Sequence, residues 1–443
     1  MKNDGSRKRI AILGPFSFGN LGNAALQETL AQQVNLFFPG SEVYGCCIDP
    51  EDKEFASGVR PFPLNRSVPW NTWDHHAVAT DVSEETAGHP PAWVEWVKRI
   101  PFVIPLVLAK RRLSQKYKPL KDEFVFWLRA YTFAKGFRVM IAGMGGLIDD
   151  VWGGPWADPY ALFKWALVSK AARTPFVFMS VGAETIETSI GKFFLKNALS
   201  LAEYRSYRDV ESREKVEKMG VRGPNHVFPD LAFSLRVEEN PRQAPTNPCR
   251  KLAGISPMAY CDPRVWPTKD HTLYYNYLKT LGLLIEWLLQ RDYRVVLFAT
   301  QIRMDEAPIS ELKEIVLARV PTAAGQRLSE TKLRTVQDAI SLASQVDFVA
   351  TSRLHGAILS FLAGTPVLAI SHSSKITRLM EDMGLQEYCF DIDRAQPVVL
   401  QEGVLQIEAN HEILRQRIRL KAAQYRALLE EQFKSVLGPI GCP

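Results

Sequence analysis

The stretch TSRLHGAILSFLAGTPVLAIS, residues 351–371, decides the fold. It follows the apolar run Val346-Asp347-Phe348-Val349-Ala350, passes through Thr351, Ser352, Arg353 and His355, and continues as an apolar helical run to Leu362. The pattern predicts strand, polar turn and helix. Gly364-Thr365-Pro366 stops the helix and Val367 to Ile370 forms the next buried strand, a strand-helix-strand unit of ordinary length. In a parallel sheet such a turn lies at the carboxyl ends of the strands, where open α/β folds bind ligands, and the amides opening the helix at Leu354 favour an anion. A second polar cluster, Ser371, His372, Ser373, Ser374 and Lys375, ends the next strand. Two adjacent strand ends with these groups predict a site for an anionic ligand with acid/base chemistry available. The structural alternative makes Arg353 an ion pair and His355 a helix cap.

Upstream, residues 10–13 form a strand, and Gly14 to Asn23 a glycine-rich turn into a helix over 24–37. Glycines there, Gly19 among them, permit positive φ and close backbone approach, while Asn20 and Asn23 face the helix start. The spacing fits neither the dinucleotide fingerprint nor a P-loop. A second strand covers 41–48. A helix at 121–135 and a strand at 137–142 lead to a glycine turn carrying Asp149 and Asp150, which orient a sugar hydroxyl, act as base, or cap a helix. Helix 159–172, strand 175–181 and helix 192–202 follow, then a short strand ending at Arg208, a second arginine for an anion or an ion pair with Asp209 or Glu211. The polar, proline-rich run 238–250 is the predicted linker. Beyond it, alternation resumes with strands at 252–257 and 293–299 and helices at 273–290, 306–319 and 335–344. A long helix at 404–433 is expected to pack across both domains. The reading is α/β, with two Rossmann-like doubly wound domains, 1–240 and 251–395, and a helical segment 396–443.

The chain has 443 residues, 46% of them hydrophobic, enough for two cores. Its net charge of +6, from 54 basic and 48 acidic residues, is too small a bias to imply nucleic acid and suits phosphorylated or acidic substrates. Six cysteines, Cys46 and Cys47 adjacent and the others scattered, give neither a disulfide framework nor a zinc pattern, so a cytoplasmic setting and no metal are expected. The start MKNDGSRKRIAILG lacks a signal-peptide core. Residues 51–119, rich in Trp and Pro and without strand-helix alternation, read as an insertion in the first domain. Within it KRIPFVIPLVLAKRR, residues 98–112, is too short to span a bilayer; it is either a peripheral contact at the inner membrane face or a buried helix.

Three strand-end motifs resemble the polysaccharide pyruvyl transferase family. They are Gly19-Asn20-Leu21-Gly22-Asn23-Ala24-Ala25-Leu26, Arg208-Asp209-Val210-Glu211-Ser212, and Ser352-Arg353-Leu354-His355 with Gly364-Thr365-Pro366. Asn23 stands where the family usually has Asp. The resemblance implies a fold similar to the two-domain glycosyltransferase B type, the domains facing a cleft with 1–240 on the acceptor side and 251–395 on the donor side, and transfer of pyruvate from phosphoenolpyruvate to hydroxyls of a glycan or lipid-linked sugar as a ketal. Arg353 and Arg208 are then expected to bind the donor, with the helix opening at Leu354 adding its dipole. His355 is expected to act as acid, Asp149 or Asp150 to replace the missing Asp, and His372 and Lys375 to neutralise the leaving phosphate. No cofactor is needed for these steps. The rival readings are a nucleotide-sugar glycosyltransferase and a non-catalytic polysaccharide-assembly protein.

Overall fold

The computed structural model describes residues 9–16, 19–47, 59–65, 121–151, 153–237 and 251–441. The first domain contains β1 (Arg9–Phe16), α1 (Leu21–Phe37), β2 (Glu42–Cys47), β3 (Val59–Pro63), α2 (121–134) and β4 (Phe137–Ala142). It continues with α3 (Asp158–Ala172), β5 (Phe176–Val181), α4 (Ser189–Leu201), β6 (Tyr204–Tyr207), α5 (Val210–Lys218) and β7 (His226–Val227). Its sheet runs β3-β2-β1-β4-β5-β6-β7, every pair parallel. The second domain contains β8 (Leu252–Ser256), α6 (His271–Gln290), β9 (Arg294–Leu297), α7 (Ile302–Arg319), α8 (Pro321–Arg327), β10 (Leu328–Glu330) and α9 (Val336–Gln345). Then come β11 (Phe348–Thr351), α10 (Leu354–Leu362), β12 (Val367–Ser371), α11 (Ser374–Asp382), β13 (Cys389–Asp391) and α12 (Pro397–Gly441). This sheet runs β10-β9-β8-β11-β12-β13, again parallel.

Helices on both faces explain the strand composition. Ile10 to Leu13 of β1 and all of β5, β11 and β12 are buried, so they read as continuous apolar runs rather than alternating ones. The strand order reverses between β1 and β4 and again between β8 and β11. Each reversal opens a crevice at the carboxyl ends, the glycine turns in the first domain and residues 352–355 in the second. The two domains join there: the Leu21 amide donates to the Thr300 carbonyl at 2.9 Å and the Ile302 amide to the Gly19 carbonyl at 2.6 Å.

One expectation needs correction. The run 51–119 does contain regular structure, because β3 pairs with β2 from Val43↔Val59 to Cys47↔Pro63. Its two prolines hid it, and they are tolerated because β3 is an edge strand. The three-residue edge strand β10 was also unforeseen. Residues 66–120, which include the segment 98–112, and the linker 238–250 lie outside the described residues.

The C-terminal helix crosses between the domains. α12 breaks at Asn410 (φ −114°, ψ 16°). Near the break it grips the second domain, where Glu408 accepts from Lys251, Arg291 and Tyr293 and His411 donates to the Asp347 carbonyl. Its far end grips the first: buried Gln432 bonds Ser180 and Ser206, and Arg138 donates to the carbonyls of Ile440 and Gly441 at 2.7 and 2.9 Å.

Candidate active site

The carboxyl ends of the two sheets meet around His355. As the second residue of α10 it projects toward the first domain, and the fit is close: a Cβ on Gly22, in the first turn of α1, would lie 2.2 Å from His355 Nδ1. On its other side Nε2 faces Asp230 Oδ2 at 3.8 Å, too far for a hydrogen bond, and both atoms are buried without a partner among the described residues. Burial lowers the His355 pKa against the pull of Asp230, and Arg208 and Lys375 push the same way. His355 is therefore neutral in the unliganded protein.

Beside it lies a three-residue ionic cluster built from both domains. Arg208, at the end of β6, is buried and donates to Glu184 Oε1 at 2.7 Å, with Asp209 at 3.4 Å. Gly182 makes room for it, since a Cβ there would meet the guanidinium carbon at 2.5 Å. Lys375, in the first turn of α11, reaches the same Glu184 oxygen at 3.4 Å. Burial opposes the Glu184 charge, but Lys375 and Arg208 outweigh it and hold the pKa at about 2. One carboxylate thus sits between two cations from opposite domains. A cavity of about 270 Å³ opens beside the cluster, bordered by Arg208, Asp230, Leu354, Lys375, Arg378 and, from α12, Tyr425. α10 and α11, the two helices of the second domain that open at this cluster, have no side-chain cap, whereas Asn20, Thr188, Asp209 and Asp270 cap α1, α4, α5 and α6. Their uncapped first-turn amides add positive potential where the cations already converge.

Several residues read as functional from sequence are held in structural roles. Arg353 makes a two-point ion pair with fully buried Asp305, Nε to Oδ2 at 2.9 Å and Nη2 to Oδ1 at 2.5 Å, so the structural alternative holds for that side of the guanidinium. Arg353 still lies within electrostatic reach of His372 and Lys375. Ser352 is wholly buried with its hydroxyl on Tyr277, not in the cleft. Asp150 is not a free base: its oxygens accept from the Glu187 and Thr188 amides and the Thr188 hydroxyl, fastening the entry to α4. Asp149 accepts from the Val151 amide in a local turn. Asn20 caps α1 through the Gly22 and Asn23 amides, and Gly19 sits at φ +84° with its carbonyl on Ile302. Asn23 lies near His355, its Oδ1 and His355 Cε1 each 3.9 Å from a Cβ built on Gly145. His372 is not a cation for phosphate, because burial, Lys375 and Arg353 drive its pKa down to about 3.

Sequence reasoning missed Glu184, Asp230 and Asp305. Glu184 was visible at the end of β5, a position where a carboxylate faces the cleft. Asp230 and Asp305 look like ordinary acids ahead of a turn and inside a first helical turn, and nothing local marks their partners.

Two parallel-sheet domains with a cleft of paired charges between their strand ends have the fold of the glycosyltransferase B type. The chain belongs to the polysaccharide pyruvyl transferase family, whose model matches residues 20–374, and so stands among transferases of polysaccharide biosynthesis. It is 25% identical over 300 residues to the amylovoran biosynthesis protein AmsJ of Erwinia amylovora, covering 63% of this chain and 69% of that one. Among solved structures it is similar to the UDP-GlcNAc 2-epimerase of Neisseria meningitidis bound to UDP-GlcNAc, with 10% identity, a TM-score of 0.51 and 96% and 100% of the two chains covered. Trehalose-6-phosphate synthase OtsA gives 10% identity, a TM-score of 0.50 and coverage of 97% and 99%. At such identity the likeness is one of fold alone. Among the described residues no helix is long and apolar enough to cross a membrane.

Proposed function

We propose that the protein transfers the pyruvyl group of phosphoenolpyruvate to two hydroxyls of a polysaccharide or its precursor, forming a ketal and releasing phosphate. The observation that carries this reading is the convergence of Arg208 and Lys375, from opposite domains, on a single carboxylate beside His355. Glu184 holds the place that an anionic group of the donor takes. Phosphate and carboxylate together need several donors, and Arg208, Lys375, the exposed edge of Arg353 and the opening amides of α10 supply them.

In the free protein His355 has no proton to give from an imidazolium. A donor carrying several negative charges in the same low-dielectric space favours the protonated ring, so acid function comes with donor binding. Protonation of the enol methylene carbon leaves an oxocarbenium-like centre at C2. The first sugar hydroxyl attacks it, and the proton that this hydroxyl loses restores the acid. The second hydroxyl then displaces the phosphate, which leaves with the remaining proton, and the ketal closes. Asp230, 3.8 Å from the ring, is placed to steady the imidazolium.

The test is a reaction with phosphoenolpyruvate and candidate glycan or lipid-linked acceptors, reading phosphate release together with acceptor mass. Phosphate release that requires acceptor, with one pyruvyl group gained per acceptor, supports the reading. Release of a nucleoside diphosphate from a nucleotide sugar instead returns the cleft to glycosyl transfer.

A further inference from the structure

Nine buried polar side-chain atoms have no partner among the described residues, and six of them lie at or past the carboxyl ends of strands: Asp230 Oδ2, Ser256 Oγ, Gln301 Oε1, His355 Nε2, His372 Nδ1 and Ser373 Oγ. Buried polar groups are normally paired, so a concentration of orphans at one edge of the sheets marks a place built for a ligand. His355 and Asp230 belong to the centre described above. His372 belongs elsewhere. It stands past β12 with its ring against two aromatic side chains from the loop between β8 and α6, Tyr260 at 6.0 Å and Trp266 at 5.8 Å between centroids. That loop is firmly shaped. Cys261 turns it at φ +56°, Asp262 accepts from both the backbone and the guanidinium of Arg264, and the Tyr260 hydroxyl donates to Asp393 at 3.0 Å.

The chemistry of the group this corner accepts follows from His372. Burial, Lys375 and Arg353 keep the ring neutral, so one of its nitrogens carries a lone pair, and Nδ1, buried without a hydrogen-bond partner among the described residues, is where that lone pair lacks a donor. A lone pair rejects an anion and accepts from a hydroxyl or an N–H. The neighbouring Arg353 and Lys375 reject a cation. Trp266 and Tyr260 offer apolar ring faces, and the Asp393 carboxylate at the rim offers a second acceptor. A neutral ring carrying several hydroxyls meets all of these conditions.

We propose that Tyr260, Trp266 and His372 form a subsite for a neutral sugar ring, with one ring hydroxyl donating to His372 Nδ1. The inference rests on the pyruvyl-transfer reading in one respect, that this ring belongs to the acceptor. It places part of the acceptor on the second domain, next to the cations that hold the donor, rather than on the first domain alone. Nδ1 is sealed in the unliganded protein, so the ring enters as Trp266 shifts, a side-chain movement common at binding sites.

Methyl glycosides of glucose, galactose and mannose serve as probes, with binding followed by saturation-transfer NMR and phosphoenolpyruvate affinity measured on the same samples by calorimetry. At least one glycoside binds the wild type. Trp266→Ala and His372→Phe weaken it about tenfold, the size of one lost hydrogen bond or stacking face, while donor affinity holds. His372→Asn, which keeps a side-chain acceptor, recovers part of the loss, and a merely structural role for His372 predicts no such rescue. Glycoside binding that is indifferent to Trp266→Phe, Trp266→Ala and His372→Phe overturns the subsite. So does a wild type that binds phosphoenolpyruvate but none of the glycosides, an outcome that leaves the donor reading standing. Glycosides bound through Trp266 without any binding of phosphoenolpyruvate support the subsite and refute the donor reading.

Discussion

Replacing Arg353 by alanine exposes the difference between a ligand group and an ion pair. The guanidinium meets Asp305 at two points, and Asp305 is fully buried with one oxygen also accepting from the Ala259 amide at 3.1 Å. Arg353→Ala leaves that carboxylate with no cation, and removing one partner of a buried pair costs about 3–5 kcal/mol. Against a typical total stability of about 5–15 kcal/mol this is a large loss, so the variant loses activity and fold stability together. The loss depends on pH in a definite sense. Burial already raises the Asp305 pKa against the pull of Arg353, and deleting the cation raises it further. A carboxyl whose folded pKa lies above its unfolded value contributes stability when protonated and loses it as pH rises through the folded pKa. The variant is therefore closest to wild type in mild acid and falls away toward neutral pH. Guanidinium unfolding at a series of pH values, followed separately by tryptophan fluorescence and circular dichroism, measures this. The double variant Arg353→Met/Asp305→Leu recovers stability without activity. Unfolding of Arg353→Ala identical to wild type at neutral pH, with activity abolished, refutes the reasoning and makes Arg353 a ligand group.

Glu184→Gln frees Arg208 and Lys375 from their internal counter-charge, so inorganic phosphate binds more tightly, as calorimetry will show. Because the Glu184 pKa is held at about 2, below its ordinary value of 4.5, its contribution to stability is present above that ordinary value and fades as pH falls toward 2; the Gln variant lacks this component of acid unfolding. Gly22→Ala drives a methyl group into the His355 ring, so turnover collapses while α1 itself, which gains helix propensity, stays folded by circular dichroism. His355→Gln keeps donor affinity but slows turnover about a hundred- to ten-thousandfold in steady-state kinetics; equal losses in binding and turnover make His355 a contact rather than the acid.

The two-domain architecture was legible because fully buried parallel strands write themselves as apolar runs, as in β5, β11 and β12, and because glycine turns punctuate their ends. β3 escaped since its prolines contradict the pattern of a central strand, and only its edge position reconciles them. The site was legible as a location but less so as a set of roles. Residues 351–375 pointed to strand ends that the structure sets against those of the first domain, yet Arg353 is bound by a carboxylate 48 positions away and Ser352 by a tyrosine 75 positions away, pairings that no local pattern announces. Asp150 was read as base or helix cap; its oxygens accept from the amides of Glu187 and Thr188 just ahead of α4, while the cap of that helix is Thr188. Charge was the least legible property: His372 looks like a cation in sequence and is neutral because burial among positive groups makes it so.

The central claim, that Arg208 and Lys375 from opposite domains together hold the donor's anionic groups, is tested most directly by the calorimetric affinity of phosphoenolpyruvate. Lys375→Met removes one charge-assisted contact of about 1.5–3 kcal/mol, which corresponds to roughly ten- to a hundredfold weaker binding. Arg208→Gln does the same, and Lys375→Arg, which keeps the charge, retains most of the affinity. Unchanged affinity for phosphoenolpyruvate in Lys375→Met and Arg208→Gln, with unfolding like that of the wild type, contradicts the claim.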